Sequence, residues 1–283
     1  MHVTTVVACQ PGCLVAILHV APAWALIQEC ESPVTRELLT ARLIHKRCLS
    51  ERAQCFHLEF ELEDRRELAF TPGQFVSAVA EDADGKQQMR AYSIASGPDG
   101  NHFALCLNRV DDGFFSNRLS DMQEGGTLAF QEPLGFFTLR QPLTDSILIA
   151  TGTGVAPMRS FVQWLFPLDG PDRSEGRQIW LIFGTRHETE LYYHEEFEAI
   201  AARHANFHYL PTLSRAAEDW KGLRGYVQEH AVHIAQEHQT SAAGPEIEIH
   251  AYVCGLSPMI NAVREQLKAL GWNRKGIITE RYD

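Results

Sequence analysis

The 283-residue sequence has no CxxC pair; its seven cysteines are scattered over positions 9, 13, 30, 48, 55, 106 and 254. That spacing excludes a disulfide framework, a zinc ribbon and a cysteine-ligated iron–sulfur cluster, so no metal is expected, and it fits a reducing, cytoplasmic setting. Positive charge is also scarce: 25 Lys and Arg stand against 36 Asp and Glu, a formal net charge of −11. General affinity for the nucleic-acid backbone is thereby excluded, and any anion must be bound locally. The one suspect apolar run, Cys13–Ile27, is interrupted by His19 and Pro22 and is preceded by no Lys or Arg. It is short of the ~20 residues of a membrane span and lacks the cationic start of a secretory signal. Residues 1–34 are therefore read as an N-terminal extension outside the catalytic machinery, without stable membrane insertion. Long Gly/Ser/Pro tracts are missing too, and with 45% hydrophobic and 22% charged residues the bulk of the chain is a folded protein long enough for two domains.

Two different rhythms follow one another after residue 35. Up to Pro142 the chain reads as short strands at Leu38–Lys46, Phe56–Leu62, Phe75–Ala80, Met89–Ile94, Phe103–Val110 and Thr127–Gln131, with one helix near Phe115–Met122. Turn signals at Thr71-Pro72-Gly73, Asp84-Gly85, Gly97-Pro98-Asp99-Gly100 and Gly125-Gly126 separate them, which predicts a small antiparallel barrel over residues 35–142. From residue 143 to 283 apolar strands alternate with amphipathic helices. That is the pattern of βαβ units and a doubly wound parallel sheet, whose ligands sit beyond the carboxyl ends of its strands.

The second half opens with the apolar strand Ile147–Ala150, then Thr151-Gly152-Thr153-Gly154-Val155-Ala156-Pro157, then a helix carrying Met158, Phe161, Val162 and Leu165. Glycine lets backbone approach a phosphate closely, and the free amides and positive dipole end of a helix attract it. Pro157 replaces the last glycine of the ordinary dinucleotide fingerprint and suits a first helical turn, where its missing donor costs nothing. In the first half, Arg90-Ala91-Tyr92-Ser93 lies on a strand, so Arg90 and Tyr92 share one face and Ser93 projects from the other. An arginine forks onto phosphate, a tyrosine lies flat on an aromatic ring and a serine hydroxyl reaches a ring nitrogen, which suits a flavin nucleotide. Gly113-x-x-Ser116 opens the short helix and offers a second anion site.

These motifs, together with Phe70-Thr-Pro-Gly-Gln-Phe75, Gly135-Phe136-Phe137, Val253-Cys254-Gly255 and Glu280-Arg-Tyr282, make residues 36–283 resemble the ferredoxin–NADP reductase family, the ending most of all its bacterial members. The resemblance implies FAD on a six-stranded antiparallel barrel and NADP(H) on the second domain. It also implies single-electron exchange with ferredoxin or flavodoxin as the partner, the flavin dividing a two-electron hydride step. By position, Arg90 pairs with the FAD pyrophosphate, Tyr92 covers one ring face, Ser93 lies near the reactive nitrogen, and Gly113 and Ser116 hold the other phosphate. Cys254 borders the nicotinamide, Glu280 completes the Ser93–Cys254 neighbourhood, and Tyr282 lies against the face the nicotinamide must occupy. The resemblance puts NADP on Gly152, Thr153, Gly154 and Pro157.

Ser214 and Arg215, just after the strand Phe207–Leu213, stand where an NAD-selective site often places a carboxylate. They are the expected 2′-phosphate site, with Arg224 and Lys221 assisting; Tyr226 occupies the place of a second arginine. Asp283 puts negative charge beside Tyr282 and is expected to loosen the tail. Residues 36–142 hold 12 basic and 16 acidic residues, so docking of an acidic carrier needs a local patch, for which Arg36, Arg42, Lys46, Arg47 and Arg52 are the candidates. Two other readings fit the same motifs: the NADH-dependent reductase component of an oxygenase, and a flavin-binding regulatory subunit without turnover.

Overall fold

A computed structural model describes residues 37–241 and 248–283, so the extension expected over 1–34 lies outside the described residues. The first half builds β1 (Leu38–Ser50), β2 (Cys55–Leu62), β3 (Phe75–Glu81), β4 (Gln87–Ser93), β5 (His102–Asn108), α1 (Phe114–Asp121) and β6 (Thr127–Leu134). The strands form one antiparallel sheet in the order β4-β3-β6-β1-β2-β5. An Ile94–Leu105 bridge and the Ala95 N–H on the Ala104 carbonyl (2.7 Å) join its two ends, giving the expected barrel. Alternate residues of each strand point inward, and Phe60, Phe103 and Phe130 meet at the centre with ring centroids 5.2–5.4 Å apart. Phe115 and Leu119 of α1 join this core.

β5 is apolar on both faces for a physical reason. Phe103 and Leu105 fill the barrel, while Cys106, with Cys55 of β2, packs against Tyr192 and Tyr193 of the second half. Those two tyrosines precede α3 (His194–Arg203), and Tyr193 has the left-handed φ of 60°.

The second half comprises β7 (Asp145–Thr151), α2 (Val155–Leu165), β8 (Ile179–Thr185), α3, β9 (Phe207–Leu213), β10 (Leu223–Arg224), α4 (Val227–Ser241), β11 (Ile249–Gly255), α5 (Ser257–Ala269) and β12 (Ile277–Arg281). Its strands are all parallel, in the order β10-β9-β8-β7-β11-β12. Leu148, Ala150, Leu181 and Phe183 pack on the side of α2 and α3, whereas Ile147, Ile149, Ala251 and Val253 pack against Val227, Ala231, Ile260 and Val263 of α4 and α5. Burial on both faces is why these strands read as continuous apolar runs. The two-residue β10 was not legible in the sequence, because it carries no alternating pattern. The order reverses between β7 and β11, the point at which a sheet of this kind opens a crevice.

Candidate active site

The carboxyl ends of β7 and β11 deliver Thr151-Gly152-Thr153-Gly154 and Cys254-Gly255 to one place. Gly152–Gly154 is a single 3₁₀ turn running straight into α2. The two glycines do different things there. Gly152 has φ +55° and nothing within 4 Å of where a Cβ would lie, so it supplies the turn conformation and an unobstructed approach. A Cβ on Gly154 would come within 2.3 Å of the Cys254 carbonyl oxygen; this glycine lets the turn press against the end of β11. A cleft of about 1030 Å³ opens here, lined by Thr151, Gly152, Thr153, Gly255 and Tyr282, with Arg52 and Asn108 on the barrel side. Pro157 is buried in the first turn of α2 and does not line the cleft.

Four residues from three parts of the chain assemble beside the turn. β12 lies parallel to β11 with Glu280 opposite Cys254, and the Ser93 hydroxyl at the end of β4 donates to Glu280 Oε1 at 2.7 Å. The Tyr282 amide donates to the Gly255 carbonyl at 3.2 Å. The Tyr282 hydroxyl is buried without a hydrogen-bond partner among the described residues, next to Cys254, Glu280 and Ser93. Burial pushes the Glu280 carboxyl up, opposed by the Ser93 hydrogen bond. Burial and then the charge of Glu280 push the Cys254 thiol well up, so at neutral pH it is a neutral, weakly polar thiol and not a nucleophile.

The tail departs from expectation. The Asp283 carboxylate accepts from the Ser257 amide (3.1 and 3.2 Å) and the Ser257 hydroxyl (2.8 Å) at the first residue of α5, and these bonds hold its pKa down. An anion at a helix N-terminus is favourable; Asp283 therefore fastens Tyr282 in place, the reverse of the loosening expected from charge alone.

On the flavin-type strand, Arg90 and Tyr92 do share a face. Arg90 is exposed and takes no hydrogen-bond or ion-pair partner among the described residues, while half-buried Tyr92 has its phenol pushed up to about 12 by burial, with Arg90 opposing. At α1, Gly113 is the extended residue before the helix. The Ser116 hydroxyl accepts from the Val110 amide (3.2 Å) and donates to the Gly113 carbonyl (3.3 Å), so it builds the turn, and only the amides of the first helical turn are left to meet an anion.

The residues expected to select the coenzyme lie in different settings. Ser214 lines the cleft and its amide donates to the Thr185 carbonyl (3.0 Å); the Arg215 amide donates to the carbonyl of Arg186 (3.0 Å). These bonds set Arg186 and Arg215 side by side at the ends of β8 and β9, and neither guanidinium has a partner among the described residues. Arg186 thus stands beside Arg215, a cation that the sequence pattern, with Tyr226 at the place of a second arginine, does not single out; its only signal is its place after Gly184-Thr185 at a strand's carboxyl end. Arg224 is placed differently: its Nη1 and Nη2 donate to the carbonyls of Ala216, Ala217, Glu218 and Trp220, and it does not line the cleft. Those bonds fold the loop after β9.

The candidates for a basic docking patch are mostly paired. Arg42 faces Glu61 and Glu63, Lys46 donates to the Ser120 and Met122 carbonyls, and Arg52 pairs with Glu190 at 3.3 Å across the cleft. Arg36 lies outside the described residues. Of the four described candidates, only Arg47 has no hydrogen-bond or ion-pair partner among the described residues.

The chain is similar to known proteins in sequence and in fold. An oxidoreductase FAD-binding domain model matches residues 40–139 and an oxidoreductase NAD-binding domain model matches 148–265. A ferredoxin–NADP reductase B of Sorangium cellulosum is 37% identical over 254 residues, which is 88% of this chain and 100% of that protein. The reductase component of phenol 2-monooxygenase from Pseudomonas sp. (strain CF600) is 33% identical over 77% of this chain, which spans only 59% of that protein. A ferredoxin NADP+ reductase from Neisseria gonorrhoeae, solved with bound FAD and NADP, has the same fold, with a TM-score of 0.70 at 20% identity over 86% of this chain and 98% of that one. With both domains matched and a full-length relative above one-third identity, the chain belongs to the ferredoxin–NADP reductase family.

Proposed function

We propose that this protein is an FAD-dependent ferredoxin/flavodoxin–NADP(+) reductase, with residues 35–142 holding FAD and 143–283 holding NADP(H). The observation that carries the reading is the 2.7 Å Ser93–Glu280 hydrogen bond, which brings the end of the flavin-type strand against Cys254 and Tyr282 at the crevice of the nucleotide-type sheet. The residues fit the two cofactors. Among the described residues, the buried Tyr282 hydroxyl lacks a hydrogen-bond partner, the Arg90 guanidinium is uncommitted, and Gly152 leaves its approach open. Bound FAD supplies the conversion between two-electron hydride exchange with a nicotinamide and single-electron exchange with a carrier.

The chain's own residues supply the rest. Arg90 and the amides of α1 bind the flavin's phosphates, and Tyr92 and Tyr282 pack the ring. The amides around Gly152 and Thr153 bind the nicotinamide nucleotide's pyrophosphate, and Arg186 and Arg215 bind its 2′-phosphate. Ser93 and Glu280 hold a proton-bearing hydrogen bond beside the reacting rings, and neutral Cys254 and Tyr282 keep water out. The carrier is ferredoxin or flavodoxin, and the setting is cytoplasmic, a reading supported by four free thiols among the described cysteines. Among the described residues no helix is long and apolar enough to cross a membrane.

The test is the visible spectrum of the purified protein, titrated anaerobically with NADPH and with NADH, then mixed with oxidised ferredoxin or flavodoxin. Flavin absorbance bleached by NADPH and recovered by the carrier is expected. A protein without flavin overturns the reading, and preference for NADH turns it towards the oxygenase-reductase relatives.

A further inference from the structure

We propose that Arg159 of α2 is a positioning residue that sets the distance and angle between the flavin and the nicotinamide. The inference rests on the assignment of Arg90–Ser93 to the flavin and Gly152–Gly154 to the nicotinamide nucleotide. Arg159 lies one and a half turns beyond Gly154, roughly 7 Å along a rigid helix. Its Nη1 donates to the carbonyl of Ala95 at 2.7 Å, and Ala95 follows Ser93 by two extended residues, again roughly 7 Å. One side chain therefore bridges the strand that ends at the flavin's reactive edge and the helix that begins at the coenzyme's phosphates.

The arginine is fixed from every side. Its Nε donates to both carboxylate oxygens of Glu196 on α3 (3.0 and 2.9 Å), and its guanidinium lies 4.4 Å from the centre of the Tyr193 ring. The Tyr193 hydroxyl in turn meets His57 Nδ1 of β2 at 2.9 Å. A bulky residue held at φ 60° is uncommon and persists only where its surroundings over-determine it. The side chain of Arg159 is only 11% exposed. Two neighbours on α2 repeat the pattern on the same stretch of barrel backbone: the Ser160 hydroxyl donates to the Ser96 carbonyl at 2.6 Å, and Gln163 Oε1 accepts from the Gly97 amide at 2.9 Å. Gln163 also donates to Glu196. Three side chains thus hold three successive backbone groups, 95 to 97, in register with α2. No part of Arg159 lines the cleft, so it acts through the backbone it holds.

Lysine keeps the charge of Arg159 but cannot donate to Glu196 and Ala95 while lying flat on Tyr193. The experiment compares wild-type holoprotein with Arg159→Lys and Ser160→Ala. It measures flavin content, NADP+ affinity by difference spectroscopy, the long-wavelength charge-transfer band of the NADP+ complex, and the single-turnover rate of flavin reduction by NADPH. Arg159→Lys is expected to keep its flavin and bind NADP+ within about twofold of wild type. Its charge-transfer band is expected to weaken and its reduction rate to fall by about 10- to 100-fold, since a 1 Å misplacement costs on the order of 10²-fold. Ser160→Ala should show the same split with a smaller loss, and it carries the test if Arg159→Lys does not fold. A wild-type band and rate in the variant that folds overturn the proposal. So does a rate loss matched by an equal loss of flavin or NADP+ affinity, which is the mark of a structural role. Failure of the wild-type protein itself to hold flavin or to bind NADP+ sinks the underlying assignment instead.

Discussion

Arg90 is a cation without a partner among the described residues, on a solvent-facing strand, and its value is realised against an anion. Replacing a charge-assisted hydrogen bond to phosphate costs roughly 1.5–3 kcal/mol. Arg90→Ala is therefore expected to lower flavin affinity by about 10- to 150-fold, seen as sub-stoichiometric flavin per chain after gel filtration; full occupancy removes Arg90 from the site. Arg186 and Arg215 make a separable claim, because their backbones are hydrogen-bonded to each other while their guanidinium groups are uncommitted. Arg186→Ala and Arg215→Ala are each expected to raise the KM for NADPH about tenfold and leave NADH kinetics unchanged, since only NADPH carries the 2′-phosphate. Equal losses with both coenzymes place these side chains on the common part of the nucleotide. Arg224→Ala should instead lower stability with both coenzymes alike, because its four carbonyl partners belong to the loop.

At the scale of elements, the turn between β7 and α2 separates conformational from steric demands on glycine. Gly152→Ala forces an L-residue into the left-handed region, at about 1–2 kcal/mol, without touching a neighbour. Gly154→Ala drives a methyl into the Cys254 carbonyl and must part the turn from β11. The larger fall in melting temperature is expected for Gly154→Ala, together with weaker NADP+ binding; the reverse order would mean the turn is not packed as described. The end of β12 is a second element with a consequence. Tyr282→Ser should increase nicotinamide occupancy over the flavin, visible as a new long-wavelength band with NADP+, because an aromatic competitor worth about 0.5–1.5 kcal/mol beyond its burial is gone. Asp283→Ala should give a weaker version of the same band, since the carboxylate that fastens the tail to Ser257 is lost. No band in either variant assigns Tyr282 to simple packing at the edge of the sheet.

For the whole molecule, the junction between barrel and sheet contains a buried histidine. His57 sits between Tyr193 and Glu59 (2.9 and 2.8 Å), and burial, aided by the positive charge of Arg159, lowers its pKa from 6.5 to about 4. Because the folded state resists the proton, the unfolded state binds more protons between these values. The contribution is fully present above pH 6.5, falls as pH drops, and is lost by about pH 4, a difference of about 3 kcal/mol. Urea unfolding of wild type and His57→Gln at pH 7, 5.5 and 4.5 should show the variant losing less stability with acid. Parallel profiles would mean that His57 is charged in the folded protein.

Much of this was legible in the sequence because it depends on local pattern. The alternation of apolar residues at Leu39, Ala41 and Leu43 or at Leu58 and Phe60 belongs to a half-buried strand whatever it pairs with. The runs at Ile147–Ala150 and Ile179–Phe183 belong to strands covered on both faces, and Gly152-Thr153-Gly154 before an amphipathic helix is a phosphate-type turn by its own chemistry. Family order brought Ser93, Cys254, Glu280 and Tyr282 into one hypothesis, but their meeting is a property of the folded chain. Tertiary structure alone decided the rest. Whether a cation is free depends on what lies across from it. Arg42 and Arg52 look as available in sequence as Arg186 and Arg215, yet the first two pair with Glu61 and Glu190, whereas the guanidinium groups of the others form no ion pair among the described residues, Glu190 accepting only from the Arg186 backbone amide. Arg159 and Ala95 are 64 residues apart in the chain and 2.7 Å apart in space. Local periodicity is set by backbone geometry and survives without partners, whereas the partner of a charge or a hydroxyl is fixed by chain crossings that no local pattern encodes.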